Sequence, residues 1–376
     1  AREGIAPERA HFVGNLMIDS LQAAMKKAIT PQATLSKEGA ALEFLADPAL
    51  FAGELRGLAP NSWVVVDEIQ RLPGLLNEVH RFIEERKLRF VLLGSSAKKL
   101  KTAGTNLLAG RASSMLLHPF VPAELGADFA LEEALRYGSL PLVWMSADKR
   151  QTLRSYVQIY LKEEIRAEAL VRNLPAFARF LPLAALFHAQ TLNVSSLARD
   201  SGTARTTILG YLDILEQTLL AFRLPAFEGR LRVREKKHPK LYWVDPGIVR
   251  AAKKQLGPVT QEERGALLEG WVLGCLRAHA EVAELFDEIY YWSPAQGRVE
   301  VDFLLERGAR YLAIEVKAGR KFAPEMLTGL RAIGELKGLA RRILVYGGER
   351  RLMTAEGIEV WPALALAQAL EAGTLW

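Results

Sequence analysis

Two short apolar runs constrain this chain most: Trp63-Val64-Val65-Val66 and Phe90-Val91-Leu92-Leu93. Each is rich in β-formers, continuous, and too short to be a helix of its own. Strands covered on both faces of a parallel sheet read this way. Between them, residues 74–87 carry an apolar stripe at Leu75, Leu76, Val79, Phe82 and Ile83, the spacing of one helix face. Strand, helix, strand at this length predicts a βαβ unit and hence an α/β sheet.

The first of these strands runs straight into Asp67-Glu68. Two carboxylates at a strand end suit phosphoryl transfer. One Asp is fixed where it can hold Mg²⁺, and the neighbouring Glu can orient the attacking water. The bland alternative is capping of the next helix, where acidic residues also favour the first turn. The second strand ends in Gly94-Ser95-Ser96, and Leu107-Leu108-Ala109-Gly110-Arg111 follows. A phosphate loop of the form Gly-x-x-x-x-Gly-Lys-Ser/Thr is missing. No phosphate-binding lysine can be named.

Charge points to a second activity. Residues 193–254 hold twelve Lys or Arg against six Asp or Glu, an excess equal to the net charge of +6 on all 376 residues. A basic segment of this kind predicts a polyanionic partner such as nucleic acid, or else a plain solvated surface. Within it, Asn193 to Gly202 reads as a short helix capped by Ser195 or Ser196, and Thr203 to about Leu220 as a second helix. Two helices around a Gly-containing turn make a helix–turn–helix. Arg205, Thr206 and Thr207 are then the groove-facing positions, and Arg230, Arg232, Arg234, Lys236 and Lys237, in the basic stretch to Lys240, the phosphate contacts.

The last third opens with a helix and then runs through strands at 290–292, 299–305, 311–316 and 342–346, with turns at Gln296-Gly297 and Arg307-Gly308. Asp302 begins one strand, and Glu315 and Lys317 lie two apart on the next, so their side chains share a face. Carboxylates on neighbouring strands suit a hard cation, and a lysine beside them can activate water or stabilise developing charge. Glu269 sits at the edge of the helical stripe Leu268, Trp271, Val272, Cys275 and Leu276.

Three constellations in one order resemble a family of prokaryotic ATPases. The run Val66-Asp67-Glu68-Ile69-Gln70-Arg71-Leu72-Pro73 resembles its Walker B signature, Ser95 its sensor 1 position, and Arg111 its arginine finger. The segment from Glu300 to Lys317 resembles the core of the PD-(D/E)xK nuclease superfamily, with Val301 where that superfamily has proline. The resemblance implies a parallel-sheet AAA+-type NTPase core over 1–125, a mostly helical winged-helix domain over 126–258, and a restriction-endonuclease-like α/β domain over 259–376. It implies ATP and Mg²⁺ bound at Gly14, Asp67 and Ser95, with Glu68 and Arg111 in hydrolysis. It further implies metal at Glu269, Asp302 and Glu315 beside a catalytic Lys317, and a hexameric ring acting on DNA, branched or junction DNA included. A metal-dependent nuclease and a non-catalytic DNA-binding protein are the alternatives.

Several classes drop out. One cysteine, Cys275, excludes a disulfide framework or a cysteine zinc site within the chain. The six His have no metal-ligand spacing. The longest apolar stretch, residues 180–194, is broken by Pro182, His188, Gln190 and Asn193, so no membrane span is expected. With no apolar leader at the start, a cytoplasmic location is expected.

Overall fold

The computed structural model describes residues 10–13, 33–35, 47–67, 69, 72–94, 112, 115–160, 173–228, 238–294 and 299–376. They fall into two units, residues 1–114 with 217–219, and residues 115–216 with 220–376.

The first unit is the α/β sheet that the two apolar runs predict. Its elements are β1 (Ala10–Val13), β2 (Ala33–Leu35), α1 (Pro48–Arg56), β3 (Trp63–Val66), α2 (Leu75–Arg86) and β4 (Arg89–Leu92). All pairings are parallel, and the strand order is β2-β1-β3-β4. Asp47 starts α1 by accepting the Ala49 N–H, with Pro48 at the first helical position where its missing donor does no harm. The predicted stripe of α2 buries Leu75, Leu76, Val79 and Phe82 against Val64, Val66 and Ile69 of the sheet side. Full burial of such side chains contributes roughly 1.5–3 kcal/mol each.

The second unit joins helices and two sheets around two hydrophobic clusters, a large one with residues from Ala134 to Leu375 and a smaller one with residues from Val301 to Val360. In chain order its principal elements are α3 (Leu131–Tyr137), α4 (Leu174–Leu186), β5 (Gln190–Thr191), α5 (Val194–Ser201), α6 (Arg205–Gln217), β6 (Ala221–Leu224), β7 (Lys240–Trp243), α7 (Pro246–Ala252) and α8 (Gln261–Ala283). Strands β8 (Glu288–Trp292), β9 (Val301–Arg307), β10 (Arg310–Lys317), β11 (Leu339–Tyr346), β12 (Leu352–Met353) and β13 (Glu359–Pro362) follow, with the short helix α9 (Thr328–Ala332) before β11 and α10 (Ala363–Glu371) at the end.

Strands β5, β7 and β6 form a small antiparallel sheet beside α5 and α6. The six-stranded sheet has the order β12-β13-β11-β10-β9-β8. Its hairpin β9–β10 turns at Gly308, whose φ of 60° lies in the left-handed region. Beyond it β10, β11 and β13 run parallel. Helix α8 starts with a reciprocal capping box: Glu263 donates its N–H to Thr260 Oγ1, and the Glu263 side chain accepts the Thr260 N–H. Its inner face buries Leu268, Trp271, Val272, Cys275 and Leu276, the stripe read from the sequence.

Candidate functional site

In the first unit, the parallel strands place their carboxyl ends along one edge. Chain order reverses between β1 and β3, since β2 flanks β1 on one side and β3 on the other. That is the switch-point geometry at which open α/β sheets bind ligands, outside the carboxyl ends of the strands. Asp67 is the residue immediately beyond β3 at this edge, and it is half-buried. The backbone around it is pinned: Leu93 donates to the Val66 carbonyl at 2.8 Å, and Ile69 donates to the Leu93 carbonyl at 3.1 Å. The other residues expected here, Gly14, Glu68, Ser95 and Arg111, lie outside the described residues.

The helix–turn–helix is formed by α5 and α6. Gly202 ends α5 with φ 61° and ψ 33°, the left-handed cap that glycine adopts without strain. One detail is corrected. Asn193 caps α5, its Oδ1 accepting the Ser196 N–H at 3.0 Å, so Ser196 is the donor rather than the cap. Arg205, Thr206 and Thr207 form the exposed first turn of α6, while Ile208, Tyr211, Leu212 and Leu215 bury its other face. Arg230, Arg232, Arg234, Lys236 and Lys237 lie outside the described residues, between β6 and β7.

The charge excess does not lie wholly on the surface, as its reading in sequence supposed. Arg223 is tied to Asp213 and Glu216. Arg250 is buried against Glu263. Lys240, read as the end of the basic stretch, is 1% exposed.

Lys240 opens onto the third constellation. The β9–β10 register pairs Ile314 with Phe303, so Glu315 and Asp302 stand side by side one step on. Asp302 and Glu315 are buried, and Glu269 reaches them from α8. The expected set is thus brought together, but around a cation that the sequence reading missed. Lys240 Nζ lies 3.2 Å from Glu269 Oε1, 3.2 Å from Asp302 Oδ1 and 3.0 Å from Glu300 Oε1. The second oxygen of Asp302 accepts the Val316 N–H at 2.9 Å. Tyr242, two residues from Lys240 and on the same face of β7, donates its hydroxyl to Glu269 Oε1. Lys317 pairs with Glu315 Oε1. Glu315 Oε2 is buried and makes no hydrogen bond among the described residues. Gly329 of α9 lets the chain pass here, since a Cβ would stand 2.1 Å from the Glu300 carbonyl oxygen.

Electrostatics follow from this burial. Burial pulls Lys240 down, but the charges of Glu269, Asp302 and Glu300 outweigh it and hold the ammonium above the ordinary lysine value. Burial, then the charge of Asp302, pushes Glu269 and Glu315 up to about 8 against the opposing pull of the lysines. The expectation of a divalent metal on Glu269, Asp302 and Glu315 therefore meets an ammonium already coordinated in their midst. Both Asp302 oxygens and one of Glu269 are engaged, and Glu315 Oε2 is buried in this cluster without a hydrogen bond among the described residues. Among the described residues, no group of three or more His, Cys, Asp or Glu is placed to hold a metal ion. The carboxylates do not fit a metal while Lys240 stands among them.

A pH dependence follows. Both glutamates have folded values above their ordinary 4.5, so the stability they contribute is complete below about 4.5 and is lost as pH rises through about 8. Thermal unfolding of the full chain is expected to move down between pH 6 and pH 9, and the double variant Glu269→Gln with Glu315→Gln to flatten that fall. Six of the seven tryptophans lie in the second unit, so intrinsic fluorescence reads it. Equal slopes in the two proteins would contradict the assignment.

Comparison with known proteins adds the following. A model described as an AAA domain matches residues 21–126. Two models described as domains of unknown function, DUF8612 and DUF4143, match residues 128–258 and 264–366. The uncharacterized proteins Rv2008c of Mycobacterium tuberculosis and Mb2031c of Mycobacterium bovis are each 30% identical to this chain over 329 residues, 85% of this chain and 71% of theirs. Among solved structures, protein VC1899 from Vibrio cholerae aligns over 98% of both chains at 15% identity with a TM-score of 0.25. Can2 from Sulfobacillus thermosulfidooxidans, in complex with cyclic tetra-adenylate, aligns over 86% of this chain and 93% of its own at 11% identity and 0.23. No helix among the described residues is long and apolar enough to cross a membrane.

Proposed function

Because the chain belongs to the family of these uncharacterized mycobacterial proteins and carries an AAA domain, we propose that it is an AAA-type ATPase that acts on DNA. The observation that carries this reading is Asp67 at the carboxyl edge of β3, beside the switch point of a parallel sheet, inside the segment that matches the AAA domain. In this reading Asp67 holds Mg²⁺ on ATP, Glu68 orients the lytic water, and Ser95 senses the γ-phosphate. Gly14 lies against the nucleotide, and Arg111 reaches a neighbouring subunit's nucleotide in a ring, taken as a hexamer. The domain division at 125 and 258 belongs to the same proposal.

DNA enters through α5 and α6. Their helix–turn–helix, followed by the antiparallel β6 and β7, has the layout of a winged helix, and Arg205, Thr206 and Thr207 stand exposed at the start of its second helix. The basic residues from Arg230 to Lys237 would then meet phosphates, and branched DNA is the substrate we would try first. The β8–β11 sheet is read as PD-(D/E)xK-like in fold.

The test is ATP hydrolysis by the full chain with Mg²⁺, with and without four-way-junction DNA. Glu68→Gln and Asp67→Asn are each expected to lower the rate by about 100-fold or more, the usual scale for removing a group that acts in the transition state. A rate independent of both residues would overturn the site. A rate indifferent to DNA would overturn the partner.

A further inference from the structure

We propose that Lys240 is the resident cation of the carboxylate cluster in the second unit, standing in the position of a divalent metal and closing that site to one. The cluster has the residues of a hydrolytic metal centre: Asp302 and Glu315 on adjacent strands, Glu269 from the helix across them, and Lys317 on the face of Glu315. Such a centre brings several carboxylates within a few ångströms, and its cation must neutralise them. Here that cation comes from the chain. Its nitrogen touches three carboxylates at 3.0–3.2 Å and is itself 2% exposed.

The coordination is built, not incidental. Lys240 is the first residue of β7, whose four residues are all buried. The neighbouring Tyr242 satisfies the same Glu269 oxygen, and the Tyr291 ring lies 5.7 Å from the ammonium. Asp302 is fixed by the Val316 N–H on its other oxygen, so it cannot turn away to make room. A second cation of charge +2 would need oxygen ligands at about 2.0–2.1 Å for Mg²⁺, among oxygens already committed to an ammonium that would repel it. Glu315 Oε2, buried and without a hydrogen bond among the described residues, sits beside Gly329 and provides a single ligand.

The consequence is functional. The cluster joins the last strand of the helix–turn–helix segment to the six-stranded sheet by ion pairs, in place of metal-assisted hydrolysis. Lys317 then pairs with Glu315. This inference is independent of the ATPase reading, since the first unit supplies none of these residues.

The experiment is a calorimetric titration of the nucleotide-free full chain with Mn²⁺. It compares the unsubstituted protein with Asp302→Asn, Lys240→Met, and the two substitutions together. Any manganese bound elsewhere is common to all four and subtracts. The expected result is equal stoichiometry for the unsubstituted protein and Asp302→Asn. Lys240→Met should gain one equivalent, and adding Asp302→Asn should remove it. An Asp302-dependent manganese site in the unsubstituted protein would overturn the proposal, as would a folded Lys240→Met protein that gains none. Should Lys240→Met not fold, the unsubstituted protein and Asp302→Asn still decide the matter. A manganese anomalous peak among Glu269, Asp302 and Glu315 in soaked crystals of the unsubstituted protein would overturn it without any variant.

Discussion

Lys240→Met is expected to destabilise the second unit by about 3–5 kcal/mol, the cost of removing one partner from a buried ion pair. The methionine keeps most of the stem's volume, so the loss is charge rather than packing. It leaves Glu269, Asp302 and Glu300 facing one another at a site where Asp302 is 3% exposed and cannot recruit water freely. Part of the repulsion is relieved because Glu269 already takes up a proton more readily than an ordinary glutamate. Against a total stability of roughly 5–15 kcal/mol the variant sits near its limit. At about 2–4 °C per kcal/mol for a unit of this size, the melting temperature should fall by roughly 6–20 °C. Neutralising the partners as well, with Glu269→Gln and Asp302→Asn, should recover a good part of the loss, since removing both sides of a buried pair is often near neutral. Salt should not mimic the variant, because a buried pair is weakly screened. Denaturant unfolding read by tryptophan fluorescence checks this. A shift below 1 kcal/mol would mean that Lys240 is not held among charges.

The same residue shows where reading the sequence stops. Strand β3 was legible to the residue and β4 to within one, because continuous β-rich runs between a helical stripe allow little else. Asp302, Glu315 and Lys317 were legible because period 2 on neighbouring strands brings such side chains to a shared face, and Glu269 joined them through the resemblance to the PD-(D/E)xK core. Lys240 was not. In sequence it ends a run of basic residues, and nothing local separates a lysine that meets solvent from one that points inward. The signal that existed was Leu241-Tyr242-Trp243 directly after it, an apolar strand whose alternation puts Lys240 on the same face as Tyr242. Knowing which carboxylates that face meets requires the pairing of β7 beside a sheet some sixty residues further on, and separation of that kind leaves no trace in local pattern. The Asp67 edge divides in the same way. The strand and its acidic end are readable, but the phosphate-binding loop has no signature for pattern to find.

Arg250 carries the second large prediction. In sequence the domain division expected at 258 follows Gly257-Pro258, and Arg250 is one of the bases of the segment 193–254. The structure makes a fastened corner of both. Arg250 is 1% exposed. Its guanidinium donates to Glu263 at 3.0 and 3.2 Å, to the Arg136 carbonyl at 2.9 Å, and to the carbonyls of Gly257 and Pro258 at 2.8 and 3.2 Å. One fork thus ties the end of α3, the turn after α7 and the capping box of α8. Arg250→Met should cost about 3–5 kcal/mol, because it strands a buried carboxylate and three carbonyls together. Lys253 stands 3.9 Å from Glu263 and can take up only part of that charge. Arg250→Lys keeps the charge but not the planar fork, so it should recover less than half the loss. Adding Glu263→Gln to Arg250→Met should restore stability only partly, since the carbonyls of Arg136, Gly257 and Pro258 remain without a donor. Guanidinium unfolding midpoints of the four proteins measure each step. Full recovery in the double variant would mean that Arg250 serves Glu263 alone and that the corner is held by something else.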